Sequence, residues 1–254
     1  MRFKATRIGR GLWLFLAWCI LGVPVTASGN EIVGSEDLSG TLLVLFAPDP
    51  DRHYDVSILP AGEAAAKLRA AMELIRGKSV FARSEIGRLQ KGGRVFLIYD
   101  PDYPKKGQGL GQVKVAAFSK DYPLPDQKAP GGAAFMAVVG RHGIKWPLPQ
   151  LSAILVHELV GHGIQHLEGR WAPKRLRDME CEAWLYESLA YQSFGIDRMS
   201  GDMIRFHKQL SRQCEGFVGY LRQHDRAGLG QWEKLNRNVP VVLKHFRRYD
   251  KSRR

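Results

Sequence analysis

Cysteine is scarce, with three residues in a chain of 254. Cys19 sits in an N-terminal apolar run without small residues just before it, which argues against a lipid-modified cysteine. Neither Cys181 nor Cys214 has the look of a nucleophile; they either pair as a disulfide or pack as two buried thiols, and the sequence leaves both open. Beyond Val25 there is no long apolar run, and with 44% apolar and 25% charged residues the chain is neither a polytopic membrane protein nor wholly disordered. Internal repeats and low-complexity tracts are absent. Acidic residues are outnumbered 25 to 38, giving a formal charge of +13. No nucleic-acid-binding motif accompanies that charge, so no nucleic acid partner is expected. The basic surface suits anionic membrane or cell-wall partners, or is simply a solvated face.

The start of the chain reads as a signal peptide. Arg2, Lys4, Arg7 and Arg10 precede the apolar run Leu12 to Val25, which ends in Val25-Thr26-Ala27, so cleavage is expected after Ala27. Uncleaved, the run would act as an N-terminal membrane anchor, although it is shorter than the ~20 residues of a comfortable span. Either way the body, residues 28–254, is expected to be exported, periplasmic or secreted, and to form one catalytic unit. Its basic residues concentrate late, at Lys174-Arg175-Leu176-Arg177 and from Lys244 to Arg254.

Along the body, Thr41 to Phe46 reads as a buried strand ended by the turn Pro48 to Pro50, with a second short extended piece at Asp55 to Leu59. Ala61 to Arg76 is rich in helix formers, with Leu68, Met72 and Ile75 on one side, and predicts an amphipathic helix. Val95 to Tyr99, Val113 to Phe118 and Ala133 to Val139 read as further strands. From Gln150 onward helices are expected over 150–167, 175–194, 200–224 and 230–249, the last broken at Pro240. Strands first and helices later predict an α+β fold, a small N-terminal mixed sheet followed by a mainly helical C-terminal half.

The chemistry concentrates in LVHELVGHGIQHLEG, Leu155 to Gly169. Imidazole nitrogens and carboxylate oxygens suit Zn2+, and a catalytic site needs about three protein ligands and one position left for water. In an HExxH helix the two histidines are about 40° apart around the axis and reach one ion. Here His157 and His162 are five residues apart, roughly 140° in a regular helix, so sharing a metal requires a local bulge. Gly161 and Gly163 make such a distortion cheap, and otherwise each costs up to ~1 kcal/mol relative to alanine. Glu158, His162 and His166 recur every four residues, so an undistorted helix would instead offer that stripe.

HELVGH resembles the HELLGH zinc motif of the dipeptidyl peptidase III metallopeptidases, and Met179-Glu180-Cys181-Glu182-Ala183-Trp184 resembles their EECRAE segment. The likeness covers two short motifs, closer together than in that family, in a chain too small for its two-lobed architecture. What it implies is a gluzincin-type metal site: His157, His162 and Glu180 as zinc ligands and Glu158 as general base. Glu182 is the other candidate third ligand, but two residues along a helix turns a side chain by about 200°, so only one of the pair can face the metal. The resemblance also implies a zincin-like active-site helix with an edge strand beside it that pairs with an extended substrate, here Ala134 to Gly140.

The expected chemistry is hydrolysis of peptide bonds: water acidified by zinc, its proton taken by Glu158. Tyr186, Tyr191, His142 and His207 are candidates to stabilise the charge on the carbonyl oxygen. Asp178 or Glu187 is expected to orient a ligand histidine, with His166 either supporting the site from behind or lying on the surface. Two other readings stand beside the peptidase: a basic envelope-associated binding protein with a structural or degenerate metal site, and a zinc amidase acting on cell-wall peptide.

Overall fold

Three apolar runs, TLLVLF, RVFLIY and AAFMAVV, form the parallel centre of a five-stranded sheet in the computed structural model, which describes residues 31–104, 115–119, 133–172, 175–234 and 236–253. The expected signal segment, residues 1–27, lies outside the described residues, as do Lys174 and Arg254 of the basic clusters.

The sheet order is β1-β2-β3-β5-β4. Strands β2 (Thr41–Phe46), β3 (Gly93–Tyr99) and β5 (Ala133–Val139) are parallel; β1 (Ile32–Asp37) and β4 (Ala116–Ser119) flank them antiparallel. Period-two alternation divides the central strands cleanly. Leu43, Val95, Leu97, Phe135 and Ala137 face the main core with the helices, whereas Val44, Phe96, Ile98, Met136 and Val138 form a smaller cluster on the opposite face. Burial on both faces explains why these strands read as unbroken apolar runs. Strand β1 escapes that reading because its residues are mostly exposed. It is held by a tight turn in which Ser39 and Gly40 take φ of 51° and 83° and Gly40 N–H donates to Asp37 Oδ1 at 2.7 Å.

Two helices join β2 to β3: α1 (Ala61–Lys78), as expected, and α2 (Val80–Gly92), capped by Ser79, whose Oγ accepts from Ala82 N–H. Beyond β5 come α3 (Leu148–Leu155), a π-helical segment (Val156–His162) and α4 (Gly163–Leu167), continuous along one axis. Then follow α5 (Leu176–Ser193), α6 (Gly201–Gln213), α7 (Glu215–His224), α8 (Arg226–Trp232) and α9 (Val239–Ser252). The fold is α+β, an N-terminal sheet with a helical C-terminal half.

Several local expectations are corrected. Asp55 to Leu59 forms no strand. The helix expected over 200–224 breaks at Cys214, which a disulfide ties to Cys181. The helix expected over 230–249 is interrupted before Pro240, between the end of α8 at Trp232 and the start of α9 at Val239; Pro240 itself lies in the first turn of α9, behind the Asn238 cap, where its missing N–H costs nothing. The edge strand expected at Ala134–Gly140 is an inner strand, paired on both sides and buried on both faces; the edge position against the HELVGH segment belongs to β4.

The HELVGH segment packs on α5 at Gly161. A Cβ there would lie 2.6 Å from Ala183 Cβ and 2.7 Å from its Cα, so the two backbones can be this close only with glycine at one side and alanine at the other. Gly161→Ala is therefore expected to destabilise the fold by ~1–3 kcal/mol through overpacking. Gly77→Ala, where nothing lies within 4 Å, should stabilise by ~0.4–1 kcal/mol. Urea denaturation of the two variants beside the parent checks the contrast, and a Gly161→Ala chain as stable as the parent contradicts it.

Candidate metal centre

The π-helical stretch solves the spacing problem of the two histidines. Its hydrogen bonding runs i→i+5, as where Gly163 N–H reaches Glu158 O, and this returns His162 to the side of His157. The ring centroids are 5.1 Å apart. Glu180, from the first turns of α5, closes the set: its Oε2 lies 3.4 Å from His157 Nε2 and its Oε1 3.5 Å from His162 Nε2. The ligand-type atoms of His157, His162 and Glu180 all lie within 4.8 Å of one another, so the group could hold a metal ion.

Each imidazole is held from behind. His157 Nδ1 is 3.0 Å from Glu187 Oε2, and the ring stands edge-on to Trp184. His162 Nδ1 is 3.1 Å from Gln165 Oε1, with Trp171 edge-on to the ring. Both Nδ1 atoms being occupied, both Nε2 atoms are turned to the space beside Glu180, the orientation a metal ligand needs.

Electrostatics favour a cation there. Glu158, Glu180 and Glu187 converge on two imidazoles, and buried negative charge of this density is costly without a positive partner. Burial alone would lower the His157 pKa, but hydrogen bonds with Glu180 and Glu187 outweigh it and push it up to about 10. Burial also opposes ionisation of Glu180, yet bonding to His157 and the charges of both histidines hold its carboxyl below the usual range. For Glu158 burial dominates and raises the pKa, partly offset by the two histidines and the backbone of Phe118 in β4.

The centre opens on a cleft of about 1000 Å³ between β4 and α5. His166 lies in its wall, stacked between Phe118 and Trp171 at 4.9 and 4.8 Å, and is not part of the triad. Glu182 is fully buried away from the triad, its carboxylate gripped by Arg170 Nη1 and Nη2 at 2.6 and 2.9 Å. Of the two acids proposed to orient a histidine, Glu187 does so, whereas Asp178 bonds Tyr249 and Arg175.

None of Tyr186, Tyr191, His142 and His207 lines the cleft. Tyr186 donates to Glu182, Tyr191 bonds Glu187 and packs on Phe206, His142 pairs with Asp55, and His207 sits behind Phe206. The cleft instead contains Tyr103, which sequence reasoning passed over because it lies in a Pro-rich loop with no motif around it. Its loop is clamped by two arginines: Arg52 donates to the carbonyls of Asp102 and Pro104 at 2.6 and 3.1 Å, and Arg141 to that of Tyr103 at 3.0 Å. Among the described residues its hydroxyl has no hydrogen-bond partner, and burial, with a smaller contribution from the Glu158 charge, pushes its pKa up to about 12.

No protein-family model, curated protein or solved structure matches this chain.

His157→Ala, His162→Ala and Glu180→Ala are each expected to reduce bound metal to near background in elemental analysis of the purified chain. Glu187→Ala, which only loses the support of His157, should weaken metal binding by ~10–100-fold. A His162→Ala chain that still holds a full equivalent of metal would overturn the assignment of the ligands.

Proposed function

We propose that the chain is an exported, zinc-dependent hydrolase of gluzincin-like arrangement that cleaves peptide bonds, with Glu158 as general base. The observation that carries this reading is a buried glutamate lying between two metal-oriented histidines and facing the same open cleft as Glu180. Two nitrogens and one carboxylate are a donor set suited to zinc, and they leave a fourth position for water. When bound, zinc supplies Lewis acidity: it lowers the pKa of a water toward ~7 and polarises a carbonyl.

The chain's own residues do the rest. Glu158, its proton affinity raised by burial, accepts the proton of the attacking water and passes it to the leaving amine. Tyr103 keeps its proton well above neutral pH and donates a hydrogen bond to the carbonyl oxygen as charge develops there. The arginine clamp on its loop supports that role, because a donor fixed before reaction needs no reorganisation during it. Strand β4 borders the cleft along Ala116, Ala117 and Phe118, which favours a substrate laid out as an extended chain beside it.

The Cys181–Cys214 disulfide supports a site of action outside the reducing cytosol. An anionic membrane or wall partner is supported by α9, whose exposed face carries Lys244, Arg248 and Lys251.

The test is a peptide-library digest with the zinc-loaded parent and two variants. Glu158→Gln should retain zinc and lose ~10²–10⁴-fold in rate; Tyr103→Phe should retain zinc and lose ~10²–10³-fold in kcat. Hydrolysis by Glu158→Gln at the parent rate would sink the mechanism. Zinc bound tightly by a parent that cleaves no peptide would move the reading to a binding protein with a structural metal site.

A further inference from the structure

We infer that Gln165 is a positioning residue that makes His162 a metal ligand, by dictating which of its ring nitrogens carries the proton. This rests on the metal reading above and adds to it a part for two buried residues, Gln165 and Glu182, that the chemistry does not otherwise use.

A side-chain amide has one end that accepts and one that donates, and its direction is settled by its other neighbours. Gln165 Nε2 lies 2.8 Å from Met179 O and 3.1 Å from Glu182 Oε2. A backbone carbonyl and an arginine-paired carboxylate only accept, so the NH2 end must face them. Reversed, the amide would press its oxygen against two acceptors in a fully buried place, with neither side satisfied. Oε1 therefore faces His162, and the nitrogen 3.1 Å away, Nδ1, must be the donor. A neutral imidazole protonated at Nδ1 carries its lone pair on Nε2, the atom beside Glu180.

The lock extends outward. Glu182 cannot turn away, because Arg170 holds both its oxygens and Tyr186 donates to one of them. Arg170 in turn is braced by Glu168, at 2.6 Å, and Glu168 by Arg88 of α2, at 3.0 Å. His157 needs no such chain. Its neighbour Glu187 is a carboxylate that can only accept, whereas a free amide would serve either tautomer of His162 equally well. The ion pairs that link α2, the turn after α4 and α5 thus settle a choice that Gln165 alone would leave open.

The experiment uses the full chain, with zinc affinity read by chelator competition and ligand geometry by the visible spectrum of the cobalt-loaded form. Gln165→Leu, which removes the acceptor, should weaken zinc binding by ~10–100-fold and alter the cobalt bands. Gln165→Met, which keeps the length and bulk of the side chain but not the amide acceptor, should lose affinity and shift the spectrum to the same extent. If Gln165→Leu binds zinc as tightly as the parent with an unchanged spectrum, or if Gln165→Met restores the parent affinity and spectrum, Gln165 merely fills space and the inference fails. Histidine NMR of the cadmium-loaded parent tests it without mutation: metal coupling at His162 Nε2 with a proton on Nδ1 is expected, and coupling at Nδ1 overturns it. A parent that binds no metal removes the metal reading and this inference together, whereas a metal-binding parent with an indifferent Gln165→Leu removes the inference alone.

Discussion

Two histidines five residues apart face one point only if the helix between them hydrogen-bonds i→i+5, and the rest of this site depends on that distortion. The π-helical stretch Val156–His162 holds it, with Gly161 pressed against Ala183 of α5. That close approach does two things at once. It brings α5 near enough for Glu180 to reach both imidazoles, and it seats Glu187 behind His157 on the same helix. The disulfide next to Glu180 fastens the same part of α5 to the junction of α6 and α7.

The second constraint is charge. Glu158 and Glu187 are buried and Glu180 is partly so, and no fold gathers carboxylates in this way to gain stability, since desolvation opposes each one. Sites where local stability rules are broken are the expected places for function. Here the break is localised. The neighbouring carboxylates, Glu168 and Glu182, are matched by Arg88 and Arg170, while those around the histidines face a position that calls for a cation.

Much of this was legible from residue order. The central strands read as apolar runs because they are buried on both faces, and α1 reads from its formers and its spacing of Leu68, Met72 and Ile75. The bulge followed from the five-residue spacing, and its glycines have a packing part as well: Gly161 allows contact with Ala183, and at Gly163 a Cβ would meet Leu89 at 2.9 Å. What could not be read is what depends on tertiary neighbours. Strand order put β4 rather than β5 at the edge; a half-exposed pattern hid β1; Glu182 and Glu180 were separable by helix phase but not by which of them Arg170 would claim; and Tyr103 joins the cleft from a loop held by the distant Arg52 and Arg141.

X-ray absorption fine structure at the zinc edge of the zinc-loaded full chain tests the central claim most directly. The account predicts nitrogen and oxygen donors at about 2.0–2.1 Å, with the multiple-scattering signature of two imidazoles and no sulfur. A sulfur shell at about 2.3 Å, or an all-oxygen shell without imidazole scattering, would place the metal elsewhere and contradict it.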